Sequence, residues 1–138
     1  MGKKMVIGVP SGSIEKLVCL SIVAGGAVAL DMEVEIYLLL MCAYAFKKDV
    51  VENKKFLCEW PELQEEMLAG MTANKISSPH DFLRELKKSG NLHIHACGTA
   101  GKIWGAKVLG DFVDLVDDIC GVAEYITQAE EAGVHIVF

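Results

Sequence analysis

Val34-Glu35-Ile36-Tyr37-Leu38-Leu39-Leu40-Met41 is the stretch on which the fold turns. Only its start alternates; from Ile36 onward the run is continuously apolar. A strand half-exposed in an antiparallel sheet alternates to its end, whereas one buried on both faces of a parallel sheet does not. The run is therefore read as a parallel strand, the second of the chain. Upstream, Met5 to Val9 is a shorter apolar run closed by the turn residues Pro10-Ser11-Gly12-Ser13. A helix follows, with Ser13 as N-cap and Glu15 and Lys16 in its first turn, and runs to about Leu30. It carries no charge after Lys16, so it is expected to be buried on most of its surface. Ala24-Gly25-Gly26-Ala27 leaves room for close packing.

Downstream, the chain turns polar from Lys47 to Lys55, and Pro61 opens a short helix reaching Met71. Residues 46–78 read as an insertion or a lid. Ser78-Pro79-His80-Asp81 opens a helix that ends at Ser89, with Gly90 as its stop. Leu92 to Cys97 is the third strand, followed by a helix from about Lys102 to Leu109. A short fourth strand is expected around Val113 to Val116, a helix over Ile119 to Glu131, and a last strand over Val134 to Phe138. Strands separated by helices imply one α/β domain over residues 1–138, a parallel sheet with helices on both faces.

With 138 residues, 52 % of them apolar, the chain can build one core. Its net charge of −6 comes without a basic stripe, so no nucleic-acid partner is expected. The apolar stretch Leu17 to Leu30 is too short to span a bilayer, and no leader is read at the start. The five cysteines, at 19, 42, 58, 97 and 120, include no C-x-x-C pair. The expectation is five reduced thiols in a cytoplasmic protein.

The chemistry centres on Leu92-His93-Ile94-His95-Ala96-Cys97-Gly98-Thr99-Ala100-Gly101. Cys97 stands at the carboxyl end of a parallel strand, where open α/β sheets place their sites. A thiol facing a helix start meets unpaired N–H groups and the positive end of the dipole, which would lower its pKa from roughly 8.5. Gly98 and Gly101 keep the turn uncrowded. The other reading of Cys97 is a small buried hydrophobe that suits a tight turn, and the residues leave both open.

His93, His95 and Cys97 alternate onto one face of the strand. Consecutive same-face positions lie roughly 7 Å apart. Three of them span too far for one zinc at about 2 Å from each ligand, so no metal is assigned. A histidine that tunes Cys97 or packs in the core is expected instead. Ser11, Gly12 and Ser13 form a second strand-to-helix turn, a candidate anion or ligand cleft that lacks a phosphate-loop signature. Cys42 is expected to end the second strand on the same rim as Cys97. Cys120 is expected to open the last helix, as the second candidate thiol.

Several motifs then fall in a familiar order. They are Ile7-Gly8-Val9-Pro10-Ser11-Gly12-Ser13, Met32-Glu33-Val34-Glu35-Ile36-Tyr37-Leu38, His95-Ala96-Cys97-Gly98 with Gly101 and Gly105, and Ile119-Cys120-Gly121-Val122-Ala123. The chain resembles the DsrE/DsrF-like sulfur-transfer family over nearly its whole length, most closely its archaeal and bacterial branch encoded near sulfur-oxidation genes. The resemblance implies a three-layer α/β/α domain with a mainly parallel five-stranded sheet, assembled as a homo-oligomer such as a trimer or hexamer. It implies that Cys97 carries sulfur as persulfide or thiosulfonate and exchanges it with a TusA-type carrier, with no cofactor. Some relatives carry a second cysteine a few residues into the next helix; none lies between Cys97 and Cys120 here.

The leading expectation is a sulfur carrier or sulfurtransferase acting through Cys97, with Lys102 attracting an anionic donor. A thiol redox protein of the peroxidase or sensor kind, with Cys120 resolving, is the first alternative. A non-catalytic oligomeric scaffold or small-ligand-binding subunit is the second.

Overall fold

In the computed structural model, residues 3–138 are described. Five strands, β1 (Lys4–Val9), β2 (Glu33–Leu38), β3 (Leu92–Cys97), β4 (Asp118–Cys120) and β5 (Val134–Val137), form one all-parallel sheet in the order β4-β3-β2-β1-β5. The helices are α1 (Ile14–Ala29), α2 (Leu40–Ala45), α3 (Lys48–Glu52), α4 (Pro61–Ala73), α5 (Pro79–Lys87), α6 (Gly98–Ile103) and α7 (Val122–Glu131).

The strand order decides how the faces are covered. From β1 to β4 each crossover steps the same way, so right-handed connections put α1 to α6 on one face. The return from β4 to β5 crosses the whole sheet, which sends α7 to the other face. Met5, Ile7, Val9, Val34, Ile36, Leu38, Leu92, Ile94 and Ala96 point to the first face and pack with Leu17, Leu20, Ala24 and Leu83 in a continuous core. The opposite parity is polar on β2 to β4: Glu33, Glu35, Tyr37, His93, His95, Cys97, Asp118 and Cys120. Helices do lie on both faces, but among the described residues α7 is the single helix of the second. It sits on β1, where Gly8 leaves room for the Tyr125 ring; a Cβ there would lie 2.1 Å from Tyr125 Oη.

Three expected boundaries move. The second strand stops at Leu38, because the Leu39 and Met41 N–H groups bond the Val9 and Pro10 carbonyls at 3.0 and 3.1 Å. Gly12 permits this approach; its Cβ would be 2.2 Å from the Met41 carbonyl oxygen. Cys42 therefore lies fully buried in α2, away from the expected rim. The helix after β3 starts directly at Gly98 and ends at Ile103. The fourth strand is Asp118–Cys120 rather than Val113 to Val116, whose Val113, Leu115 and Val116 are buried loop residues. Asp117 sets that register: its N–H donates to the Ile94 carbonyl at 2.8 Å and its carboxylate accepts the Ile94 N–H at 2.7 Å. Cys120 consequently ends a strand instead of opening a helix.

Residues 46–78 hold α3 and α4. Their middle is tied to α1 by the Ile14 N–H to the Leu57 carbonyl at 2.8 Å, whereas α4 buries Met71 alone. Among the described residues no helix is long and apolar enough to cross a membrane.

Candidate functional site

Cys97 is the last residue of β3 and the N-cap position of α6, with extended backbone (φ −70°, ψ 122°) and no side-chain cap bond. Its parity aims it at the sparsely covered face, and it is half-buried. The helix behind it has six residues, so the dipole expected there comes from fewer than two turns. Thr99 and Lys102 are exposed on α6. Gly98 lies close under β4; a Cβ would sit 3.4 Å from Ile119 Cγ2.

Sheet pairing brings Cys97 a second thiol. Cys97 and Cys120 are register partners at the ends of β3 and β4, both on the sparsely covered face. Neighbouring strands run about 4.8 Å apart, which places the two side chains side by side. Burial first, then the negative charges of Glu124 and Asp118, push the Cys120 thiol up to about 12. Cys120 is therefore held as S–H at any physiological pH.

His95, two residues before Cys97, is occupied elsewhere. Its Nε2 lies 2.6 Å from Glu35 Oε1 and its Nδ1 2.7 Å from Asp118 Oδ1. Burial alone would lower its pKa, but the two carboxylate hydrogen bonds and charges outweigh it and raise the value to about 9. Both ring nitrogens then carry protons and donate. Tyr37 stacks on the ring with centroids 4.7 Å apart, and Tyr125 follows at 5.2 Å from Tyr37 and bonds His135 Nε2 at 2.7 Å. An aromatic row thus crosses the sheet from β3 to β5 beside the thiols. The charge of His95 is balanced by two carboxylates, so it fixes β2, β3 and β4 together and gives Cys97 no hydrogen bond. His93 is more exposed, with Nε2 4.0 Å from Glu33 Oε1. The H-x-H-x-C residues share a face, as their spacing predicts, but do not converge on one point.

The Ser11-Gly12-Ser13 turn does hold an anion, and it belongs to the chain itself. Ser13 Oγ and Ser11 Oγ donate to Glu59 Oε1 at 2.8 and 3.2 Å, while Ser13 Oγ also accepts the Lys16 N–H at 3.3 Å. Glu15 returns the contact by accepting the Glu59 and Trp60 N–H groups. The turn serves to fasten the 57–60 segment onto α1.

Sequence reasoning missed Glu35, Tyr37, Asp118 and Glu124. One signal was present: the charged Glu35 inside an otherwise apolar strand, which burial tolerates only with a partner.

Two solved structures share this architecture. The ychN protein from E. coli superposes with a TM-score of 0.62 at 15 % identity, each chain covered fully. MTH1491 from Methanobacterium thermoautotrophicum, a protein of unknown function, superposes at 0.58 with 17 % identity over 99 % of each chain. Similarity at these identities establishes the α/β fold. No protein-family model and no curated protein matches the chain.

Proposed function

We propose that the protein is a sulfur carrier of the DsrE/DsrF-like kind, holding sulfane sulfur on Cys97 and passing it to an acceptor thiol. The observation that carries this reading is the thiol pair: Cys97 at the carboxyl edge of the sheet, beside a Cys120 held protonated by its surroundings. In a pair so divided, Cys97 is the nucleophile. Its thiolate attacks the outer sulfur of a donor persulfide, R–S–SH; the new S–S bond forms as the donor's bond breaks, and R–S⁻ leaves with the electron pair. An acceptor thiolate later attacks the outer sulfur of the Cys97 persulfide, and Cys97 leaves as thiolate. No net oxidation occurs. Cys120, lacking a thiolate, does not cleave the stored persulfide. The motif resemblance supports the reading. A homo-oligomer and a TusA-type partner belong to the same proposal.

The acidic surroundings bear on the donor. Asp118 and Glu124 place negative charge beside Cys120, so the site favours a donor delivered on a carrier over a free polyanion. The register pairing also serves the redox alternative, in which peroxide oxidises Cys97 to sulfenic acid and Cys120 condenses with it, releasing water. Reduced protein treated separately with polysulfide, tetrathionate and peroxide, then analysed by peptide mass, separates the two. Sulfur transfer requires a reductant-reversible sulfane adduct on Cys97 that Cys97→Ser abolishes and Cys120→Ser retains. A Cys97–Cys120 disulfide after peroxide, with no sulfane adduct, would transfer the assignment to redox chemistry.

A further inference from the structure

We propose that Glu33, Glu35 and His93 form a binding site for a borderline divalent cation of the zinc, cobalt or manganese class, separate from the thiol chemistry at Cys97. The ligand atoms of these three side chains all lie within 4.8 Å of one another. They come from rigid backbone: Glu35 and His93 are direct register partners on β2 and β3, and Glu33 is the next same-face residue of β2. A tetrahedral ion at about 2.0–2.1 Å from each ligand needs ligand atoms about 3.4 Å apart. The 4.0 Å between His93 Nε2 and Glu33 Oε1 closes to that value by rotating Glu33, whose side chain is half-exposed. Two carboxylates and one imidazole, with positions left for water, suit these ions better than calcium, which takes six to eight oxygens.

Two further features single this cluster out from an ordinary acidic surface. Glu35 is buried, and its Oε1 lies 2.6 Å from His95 Nε2, so a neighbouring side chain fixes its carboxylate as outer partners fix metal ligands. Among the described residues no lysine or arginine lies within ion-pair distance of Glu33 or Glu35; their sole basic neighbours are the histidines. Glu35 shares its one basic neighbour, His95, with Asp118, and Glu33 has only His93 beside it, so three carboxylates face two histidines on this stretch of the sheet. The half of the face left open by α7 gives the ion a path from solvent.

Cobalt(II) titration of the reduced protein tests the site, with visible absorption reporting the ligands. The expected result is one ion per chain, a nitrogen–oxygen ligand spectrum without a thiolate charge-transfer band, and zinc displacing cobalt. Glu33→Gln and His93→Ala should each weaken binding at least tenfold, because each removes one of three ligands. The doubly substituted Cys97→Ser, Cys120→Ser protein should bind as the parent does. Both altered side chains are partly exposed, and thermal melting confirms that the variants fold. Three results would each overturn the assignment: a thiolate band lost in the cysteine variant, full affinity in both ligand variants, or no binding at millimolar cobalt.

Discussion

Gly101→Ala probes the turn behind Cys97 with a magnitude the structure dictates. Gly101 is buried in α6, and a Cβ on it would lie 2.4 Å from the Ala106 carbonyl oxygen and 3.5 Å from Phe112 Cζ. The carbonyl is main chain, in a loop tied back to Gly101 by the Ala106 N–H to Gly101 O bond at 2.8 Å. Relief requires the loop to move, and overpacking of this kind costs about 3 kcal/mol at the upper end of its usual range. Alanine regains about 1 kcal/mol of helix propensity, leaving a net loss of about 2 kcal/mol. For a domain of this size that lowers Tm by roughly 6–10 °C. Gly26→Ala is the matched control: nothing lies within 4 Å of its Cβ position in α1, so the same change should stabilise by about 0.5–1 kcal/mol. Urea unfolding of both variants checks the pair. A Gly101→Ala protein as stable as the parent, or a Gly26→Ala protein destabilised by as much, would refute the reading of these two sites.

Other expectations concern the thiols and the buried ion pairs. With its thiol held up to about 12, Cys120 is ionised to about one part in ten thousand at pH 8, so mass-resolved alkylation should label Cys97 well before Cys120 and leave the fully buried Cys42 untouched in folded protein. Raising the pH towards 12 should accelerate labelling of Cys120 about tenfold per pH unit until the fold is lost; a flat profile would contradict its acidic surroundings. Glu35→Ala, measured in the presence of a chelator, should lower stability by about 1–3 kcal/mol, less than a fully broken buried pair because Asp118 still partners His95. Leu20→Ala, in the α1 core, should cost about 2–5 kcal/mol in the same urea assay.

The apolar run after Glu35 made the parallel sheet legible, since only a strand covered on both faces dispenses with alternation. Its end at Leu38 was not legible, because bonds to Val9 and Pro10, distant in sequence, turn the chain into α2. The position of Cys97, at the end of the third strand, was readable from the apolar run before it and the glycine turn after it. Cys120 was misplaced: Asp118-Ile119-Cys120 is too short to show a strand pattern, and its pairing with β3, adjoining the Asp117 clasp on Ile94, makes it a strand. The proximity of Cys97 and Cys120, and the convergence of Glu33, Glu35 and His93, are properties of register. Neither leaves a local pattern, because residues 23 or 60 positions apart meet through the sheet. Ser11-Gly12-Ser13 was read as a candidate cleft for an outside anion, whereas a carboxylate of the chain itself, 46 residues from Ser13, bonds its hydroxyls.

A sulfur carrier must pass the sulfur held on Cys97 to another thiol. Loading the protein with polysulfide, removing the excess, and adding a stoichiometric acceptor thiol carrier tests it in a single turnover. The sulfane sulfur lost from Cys97 should appear on the acceptor as persulfide, in equal amount, and Cys97→Ser should transfer none. Sulfur that stays on the protein, or that leaves as free sulfide while a Cys97–Cys120 disulfide forms, would contradict it.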